Sequence, residues 1–152
     1  MTKGRLEGKN VIVSGGAAGA GGAASEIFAR EGAHVAIVDV QEKAGVELAK
    51  RICDQNGEAF FIKCDVSVAK EVESAVAKIN ERFANRIDVL FNHAGTAIIK
   101  PFLETTESEW DWMMSVNVKS MFLMTRAVLP SMLGNGGNIV NTSSISAVAG
   151  TP

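Results

Sequence analysis

Residues 14–22 have the composition of a loop that binds phosphate. Five glycines fall in the eight positions 15–22, directly after a short apolar run. Glycine lets the backbone turn tightly and approach a ligand closely, and the first amides of a following helix attract an anion such as a pyrophosphate. A flexible turn is the alternative interpretation. The loop lacks the Lys-Ser/Thr pair of a P-loop, which disfavours a nucleoside triphosphatase.

A carboxylate, Asp39, closes the next apolar run, eighteen residues after Gly21. At this position a dinucleotide site has an acceptor for the two adenosine ribose hydroxyls, although a surface carboxylate is the alternative. A 2′-phosphate would meet like charge there, and neither Ala17 nor Ala18 supplies a compensating base. The pattern therefore favours NAD over NADP.

Polar and small residues follow the later apolar runs as well. Asp65 could accept a hydrogen bond from the adenine amino group while Val66 packs on the ring, although Asp65 could equally cap the next helix. The small residues up to Gly95 permit close approach of a ligand, and the amide of Asn92 could tie adjacent loops together. Because His93 has no acidic partner nearby in the sequence, we do not expect it to act as a base.

Asn117 lies on the same side of a predicted helix as Met113, Met114 and Met121. A carboxamide turned inward must find hydrogen-bond partners. The side chain is therefore predicted either to make a structural hydrogen bond or to position water or a catalytic side chain.

The last predicted strand runs into a series of hydroxyl side chains, at residues 142–144 and 146. The GxSxG pattern of a nucleophilic hydrolase does not surround them. They are better suited to polarising a substrate oxygen.

These residues fall at the ends of elements that alternate regularly between short apolar runs and helical patterns. The predicted strands are residues 11–13, 35–38, 59–64, 88–91 and 138–142. Strands connected through helices in this way form a parallel sheet with right-handed crossovers. The expected fold is α/β, a Rossmann-type doubly wound parallel sheet with strand order 3-2-1-4-5.

Several helix details are predicted from spacing and capping. In the first helix the apolar positions, expected to face the core, are Ala20, Ala23, Ala24, Ile27 and Phe28. Ser67 is the expected N-cap of the third helix. Thr106 and Glu109 form a capping box that begins one long fourth helix, and its apolar side is expected to be Trp110, Met113, Met114, Met121, Met124 and Val128.

Composition excludes several other classes of protein. With 152 residues, 47% of them hydrophobic, the chain is long enough for one domain spanning 1–152. A net charge of -2 gives no general attraction to nucleic acid or anionic lipid. Two cysteines and two histidines do not form a metal-binding pattern, and no apolar run is long enough to cross a membrane. A cytoplasmic protein is expected.

Taken together, these motifs resemble the short-chain dehydrogenase/reductase superfamily. The resemblance covers nearly the whole chain, and it is carried by the glycine loop with Asp39, by Asp65-Val66, by the 92–95 segment, by Asn117 and by residues 139–144. It implies hydride transfer between NAD or NADP and a secondary alcohol or ketone, and a homo-oligomer, either a dimer or a tetramer.

The resemblance also implies a role for each matching residue. Ser144 would orient the substrate oxygen and Asn117 would hold a proton-relay water. The cofactor would be held by Ser14, Gly15, Gly19, Ala20, Gly21, Asp39, Asp65, Val66, Asn92, Ala94 and Gly95. Ala20 and His93 depart from the residues that are commoner in the family at those positions.

The family's proton donor is a tyrosine in a Tyr-x-x-x-Lys motif, and this chain contains no tyrosine. The expectation is an amino-terminal portion of an NAD-dependent enzyme, inactive by itself, that lacks the remaining strands. One alternative is a dinucleotide-binding or subunit-pairing module without turnover. Another is an NADP-dependent 3-oxoacyl reductase.

Overall fold

The computed structural model describes residues 4–149 and contains a five-stranded parallel sheet. The strands are β1 Asn10–Ser14, β2 His34–Asp39, β3 Glu58–Lys63, β4 Val89–Asn92 and β5 Asn138–Asn141. Their order is β3-β2-β1-β4-β5, and each adjacent pair is parallel. The predicted fold class and strand order are therefore confirmed. Pro152, where the sequence stops, lies outside the described residues.

Helices cover both faces of the sheet. They are α1 Gly19–Arg30, α2 Glu42–Asp54, α3 Ala69–Arg82, α4 Glu107–Met114 and α5 Ser120–Met132. A π-helical turn, Ser115–Lys119, joins α4 to α5. Since side chains alternate along a strand, Val11 and Val13 pack with α1 and α2, whereas Ile12 packs with α3 and α5. All three side chains are fully buried, as expected for a central strand of a doubly wound sheet.

The buried face of α1 differs from the predicted apolar stripe. Ala20, Ala23 and Ile27 are exposed, and the buried residues are instead Gly21, Gly22, Ser25 and Ala29. The reason is close packing, because a Cβ built on Gly21 would lie 2.0 Å from the carbonyl oxygen of Gly15. The hydroxyl of Ser25 is satisfied by donating to the backbone, with the Gly16 and Gly21 carbonyl oxygens each 3.0 Å away.

The predicted long fourth helix is interrupted. The capping box is confirmed: Thr106 Oγ1 accepts from the Glu109 backbone N–H, and Glu109 Oε2 accepts from that of Thr106. The π-helical turn then adds one residue and shifts every side chain that follows. The predicted stripe therefore does not hold across the turn, so that Met124 is fully buried whereas Trp110 and Met114 are exposed.

Ser67 does not cap α3. The N-cap residue is Val68, without a side-chain capping bond. Ser67 instead donates its backbone N–H and its hydroxyl to Asp65 Oδ1, at 2.9 and 2.7 Å. Asp65 thus closes the turn that leads into the helix, as an Asx turn does.

Within residues 4–149, no helix combines the length and apolar character needed to cross a membrane.

Candidate functional site

A cleft of about 510 Å³ lies where the carboxyl ends of β1, β2 and β4 meet the loop after β3. This is where open parallel sheets bind ligands. Eight of the predicted cofactor-binding residues line it: Gly15, Gly19, Ala20, Asp39, Asp65, Val66, Ala94 and Gly95. Three others, Ser14, Gly21 and Asn92, are buried close behind its wall. The structure thus brings eight of the eleven predicted residues to one cleft.

The glycine loop forms the floor of this cleft at the start of α1. Gly15 has φ +68°, and a Cβ built on it would lie 2.7 Å from Ala94 Cα. Gly19 also has positive φ, and a Cβ there would meet nothing within 4 Å. The first turn of α1 contains no acidic residue. The unpaired amides of that turn therefore make the loop suitable for an anion such as a diphosphate.

The carboxylate of Asp39 is buried at the end of β2, with 7% of the residue exposed. Its Oδ2 accepts the backbone N–H of Ala17 at 3.1 Å, and its Oδ1 accepts that of Gln41 at 3.0 Å. Each carboxylate oxygen has more than one acceptor site. Asp39 is thus fixed by the backbone and keeps capacity for further donors.

Ser14 joins β1 to the loop after β4. Its hydroxyl oxygen accepts the backbone N–H groups of His93 and Ala94, at 3.1 and 3.3 Å. The side chain, in a residue 2% exposed, is directed toward this loop. Ser14 therefore acts on the cleft through the position of Ala94.

The cleft wall beyond β3 is formed by Cys64, Asp65 and Val66. Burial, followed by the nearby carboxylates of Glu71 and Asp65, raises the pKa of the Cys64 thiol to about 12. The thiol is therefore neutral at pH 7 and acts as a small apolar group.

A second cleft of about 500 Å³ adjoins the first. Residues 93–96 line both clefts, and Asn117 and Ser144 line the second. Ser144 is exposed, and its Oγ accepts the backbone N–H of Ser146 at 3.2 Å. His93 Nδ1 and Thr142 Oγ1 are hydrogen-bonded at 2.9 Å, so the partner of His93 is a hydroxyl and not a carboxylate.

Asn117 lies in the π-helical turn and contacts the loop after β4. Its Oδ1 accepts the Thr96 N–H at 2.7 Å, and its Nδ2 donates to the Thr96 carbonyl at 2.9 Å. Of the two roles that the sequence leaves open for Asn117, the structural hydrogen bond is therefore present.

Asn92 links the last two strands. Its Nδ2 donates to Asn141 Oδ1 at 2.9 Å. Its buried Oδ1 accepts no hydrogen bond from the residues that the structure describes. The amide therefore joins the ends of strands β4 and β5, whereas the sequence predicts that it ties adjacent loops together.

Sequence reasoning missed several residues of the first cleft, including Gln41, Trp112 and Val116. The signal for the last two was their spacing of four on a helix, which puts both side chains on one face. The described residues that line the first cleft include two carboxylates, Asp39 and Asp65, and no lysine or arginine. Among residues 4–149, no three His, Cys, Asp or Glu side chains are grouped to hold a metal ion.

The comparisons with known proteins agree on one family. The family model described as short chain dehydrogenase matches residues 9–152. Cyclopentanol dehydrogenase from Comamonas sp. (strain NCIMB 9872) is 40% identical over 150 residues, which cover 98% of this chain and 60% of that protein. D-threitol dehydrogenase from Mycolicibacterium smegmatis is 37% identical over 144 residues, covering 94% of this chain and 55% of that protein.

The solved structures give the same result. A short chain dehydrogenase from Mycobacterium smegmatis superposes with a TM-score of 0.92 at 32% sequence identity, covering 97% of this chain and 63% of that one. The chain belongs to the short-chain dehydrogenase family of oxidoreductases. It spans about 60% of the length of the cyclopentanol dehydrogenase that it matches.

Proposed function

We propose that these residues bind NAD(H) for hydride transfer between nicotinamide and a secondary alcohol or ketone in the whole protein. The observation that carries the proposal is that the Asp39 carboxylate lines the same cleft as Gly15 and Gly19. A ribose diol and a diphosphate joined in one molecule match such a pairing of carboxylate and glycine loop.

The residues present fit a dinucleotide. At Gly15, where a Cβ would collide with Ala94, the backbone itself forms the surface that a diphosphate would contact. Asp39 would accept the ribose hydroxyls, while Asp65 and Val66 would contact adenine. Because the described lining contains no base to pair with a 2′-phosphate, NAD is proposed over NADP.

The second cleft is the proposed position of the nicotinamide end and the substrate oxygen. Bound nicotinamide supplies or accepts the hydride in this chemistry. Asn92, Ala94 and Gly95 would shape the wall beside it, and Ser144 would orient the substrate oxygen by a hydrogen bond. Asn117 would support a proton-relay water from the π-helical turn.

A second candidate is dinucleotide binding without turnover, as a binding or subunit-pairing module. It is favoured by the absence of tyrosine from the 152 residues, which leaves them without a phenol as proton donor. An NADP-dependent 3-oxoacyl reductase is a weaker candidate, since it requires a 2′-phosphate to lie near Asp39.

We also propose that the whole protein forms a dimer or a tetramer. The apolar side chains of Phe122, Leu129 and Leu133 are 42–69% exposed at α5 and just beyond it. All three residues line one groove, and adjoining exposed apolar side chains of this kind are typical of protein interfaces. Sedimentation measures the state directly.

The proposal is tested by calorimetric titration of Asp39→Ala with NAD⁺. We expect affinity to fall by about 1.5–3 kcal/mol, the contribution of hydrogen bonds to a charged acceptor. Asp54→Ala is the matched control, since Asp54 is an exposed carboxylate at the end of α2. Asp39→Asn, which can keep the backbone bond from Ala17, separates loss of charge from loss of loop structure. NAD⁺ binding unchanged in both Asp39 variants would refute the role.

A further inference from the structure

We propose that Trp112 contacts the adenine ring of the bound dinucleotide and forms one wall of the adenosine end of the first cleft. The inference rests on the proposed function and adds a ligand-contacting residue to it.

The two clefts are lined by different parts of the segment from α4 to α5. Trp112 and Val116, four residues apart, line the first cleft with Asp39 and Asp65. Directly after them, in the π-helical turn, Asn117 begins the part that lines the second cleft with Ser144. Trp112 is not among the described residues that line the second cleft. Trp112 therefore lines the cleft that contains Asp39 and Asp65, and it does not line the one that contains Ser144.

The chemistry of the cleft gives an aromatic wall a clear function. The described residues that line the first cleft supply two carboxylates and apolar side chains, and adenine is an uncharged planar base. A planar base is then held by hydrogen bonds and by contact with its faces. The indole of Trp112 is half-exposed in this structure, with 48% of the residue accessible. A tryptophan with part of its surface free in a cleft can cover an aromatic ring and remove that surface from water.

Trp110 provides a matched control. It lies two residues earlier on α4 and is 53% exposed, nearly as much as Trp112. Residues two apart do not share a helix face, and Trp110 is absent from the described lining of both clefts. The chain contains only these two tryptophans. Each can therefore be made the sole indole fluorophore by replacing the other with phenylalanine.

The first experiment follows tryptophan fluorescence of the full chain during titration with 5′-AMP, with nicotinamide mononucleotide and with NAD⁺. In Trp110→Phe, where Trp112 is the remaining indole, we expect saturable quenching by 5′-AMP and NAD⁺ but not by nicotinamide mononucleotide. In Trp112→Phe, where Trp110 remains, we expect no saturable change with any of the three. Equal quenching of Trp112 by the nicotinamide half would overturn the assignment to the adenosine end.

The second experiment measures affinity by calorimetry. Trp112→Ala should weaken both 5′-AMP and NAD⁺ about tenfold, within the range found when an aromatic side chain that stacks on a base is removed. Trp112→Phe should recover most of the loss, and Trp110→Ala should bind within about twofold of the unmodified chain. Circular dichroism establishes that each variant is folded.

The outcomes separate this inference from the proposed function. Binding of NAD⁺ with unaltered affinity in folded Trp112→Ala overturns the contact and leaves the dinucleotide site in place. Failure of the unmodified chain to bind NAD⁺, NADP⁺ or 5′-AMP overturns both.

Discussion

The carboxamide of Asn117 makes two hydrogen bonds to the backbone of a single residue, Thr96, one as acceptor at 2.7 Å and one as donor at 2.9 Å. The amide thus pairs with both backbone groups of Thr96, as the backbone of a neighbouring strand would do. The loop after β4 borders both clefts. The Asn117 side chain in the π-helical turn thus holds this loop in position. Other residues of the same π-helical turn line the first and the second cleft.

Removing this amide should lower stability. We expect Asn117→Ala to reduce the free energy of unfolding by about 1–3 kcal/mol, because the half-buried N–H and C=O of Thr96 lose their partners. Urea denaturation measures the change. The control is Asn135→Ala, an exposed asparagine in the turn after α5. Equal stability of the two variants would contradict the structural role of Asn117.

Gly15 in the glycine loop is required for two reasons, its positive φ and the lack of space for a Cβ. A comparison with Gly8 separates the two effects. Gly8 and Gly15 share φ +68°, but a Cβ on Gly8 would meet nothing within 4 Å, whereas one on Gly15 would lie 2.7 Å from Ala94 Cα. Gly8→Ala should cost about 1–2 kcal/mol from the left-handed conformation alone. Gly15→Ala should cost about 1–3 kcal/mol more from overpacking. Thermal or urea denaturation of both variants gives the comparison, and similar losses would show that Ala94 does not constrain the loop.

Asp88 connects the amino-terminal ends of β1, β4 and β5, at the end of the sheet opposite the clefts. Its side chain accepts the Asn10 N–H at 3.0 Å and contacts Arg86 and Lys9 at 3.0 and 3.3 Å. Its backbone carbonyl accepts the Asn138 N–H at 2.9 Å. Burial alone would raise the pKa of Asp88, but the hydrogen bonds from Asn10, Arg86 and Lys9 outweigh burial and lower it.

This lowered pKa predicts an acid-dependent loss of stability. A carboxyl whose pKa is depressed by folding contributes stability above its ordinary range near pH 4, and the contribution is lost as pH falls through the folded-state pKa. We expect Asp88→Asn to be less stable than the unmodified chain by about 1–3 kcal/mol at pH 7. The difference should shrink toward pH 2. A difference independent of pH in urea denaturation would rule out ionisation of Asp88 as its source, and Asp54→Asn serves as the exposed control.

The sequence predicted the sheet because each central strand is a continuous apolar run. Residues 35–38 and 11–13 are buried on both faces, and such a run indicates a covered parallel strand. Polar residues that directly follow these runs lie together at the carboxyl ends of the strands, because the strands of a parallel sheet all end on the same side. For this reason the first cleft was predictable from Asp39, Asp65 and the glycines alone.

The structure differs from the sequence prediction where close packing or local backbone hydrogen bonding overrides the periodicity of apolar residues. On α1 the glycines face the sheet because no Cβ fits beside Gly15, which a hydrophobic pattern does not register. The π-helical turn at Ser115–Lys119 contacts a loop distant in sequence through Asn117 and Thr96, and a helical pattern does not register such a contact. The inserted residue shifts the side chains that follow it, so a single apolar stripe from Trp110 to Val128 does not hold across the turn.

The cleft beside Asp39 is proposed to bind a dinucleotide without a 2′-phosphate. The most direct measurement is calorimetric titration of the full chain with NAD⁺ and, separately, with NADP⁺ under identical conditions. Since a 2′-phosphate would be repelled by Asp39, we expect NAD⁺ to bind at least about tenfold more tightly. Equal or tighter binding of NADP⁺ would contradict the claim.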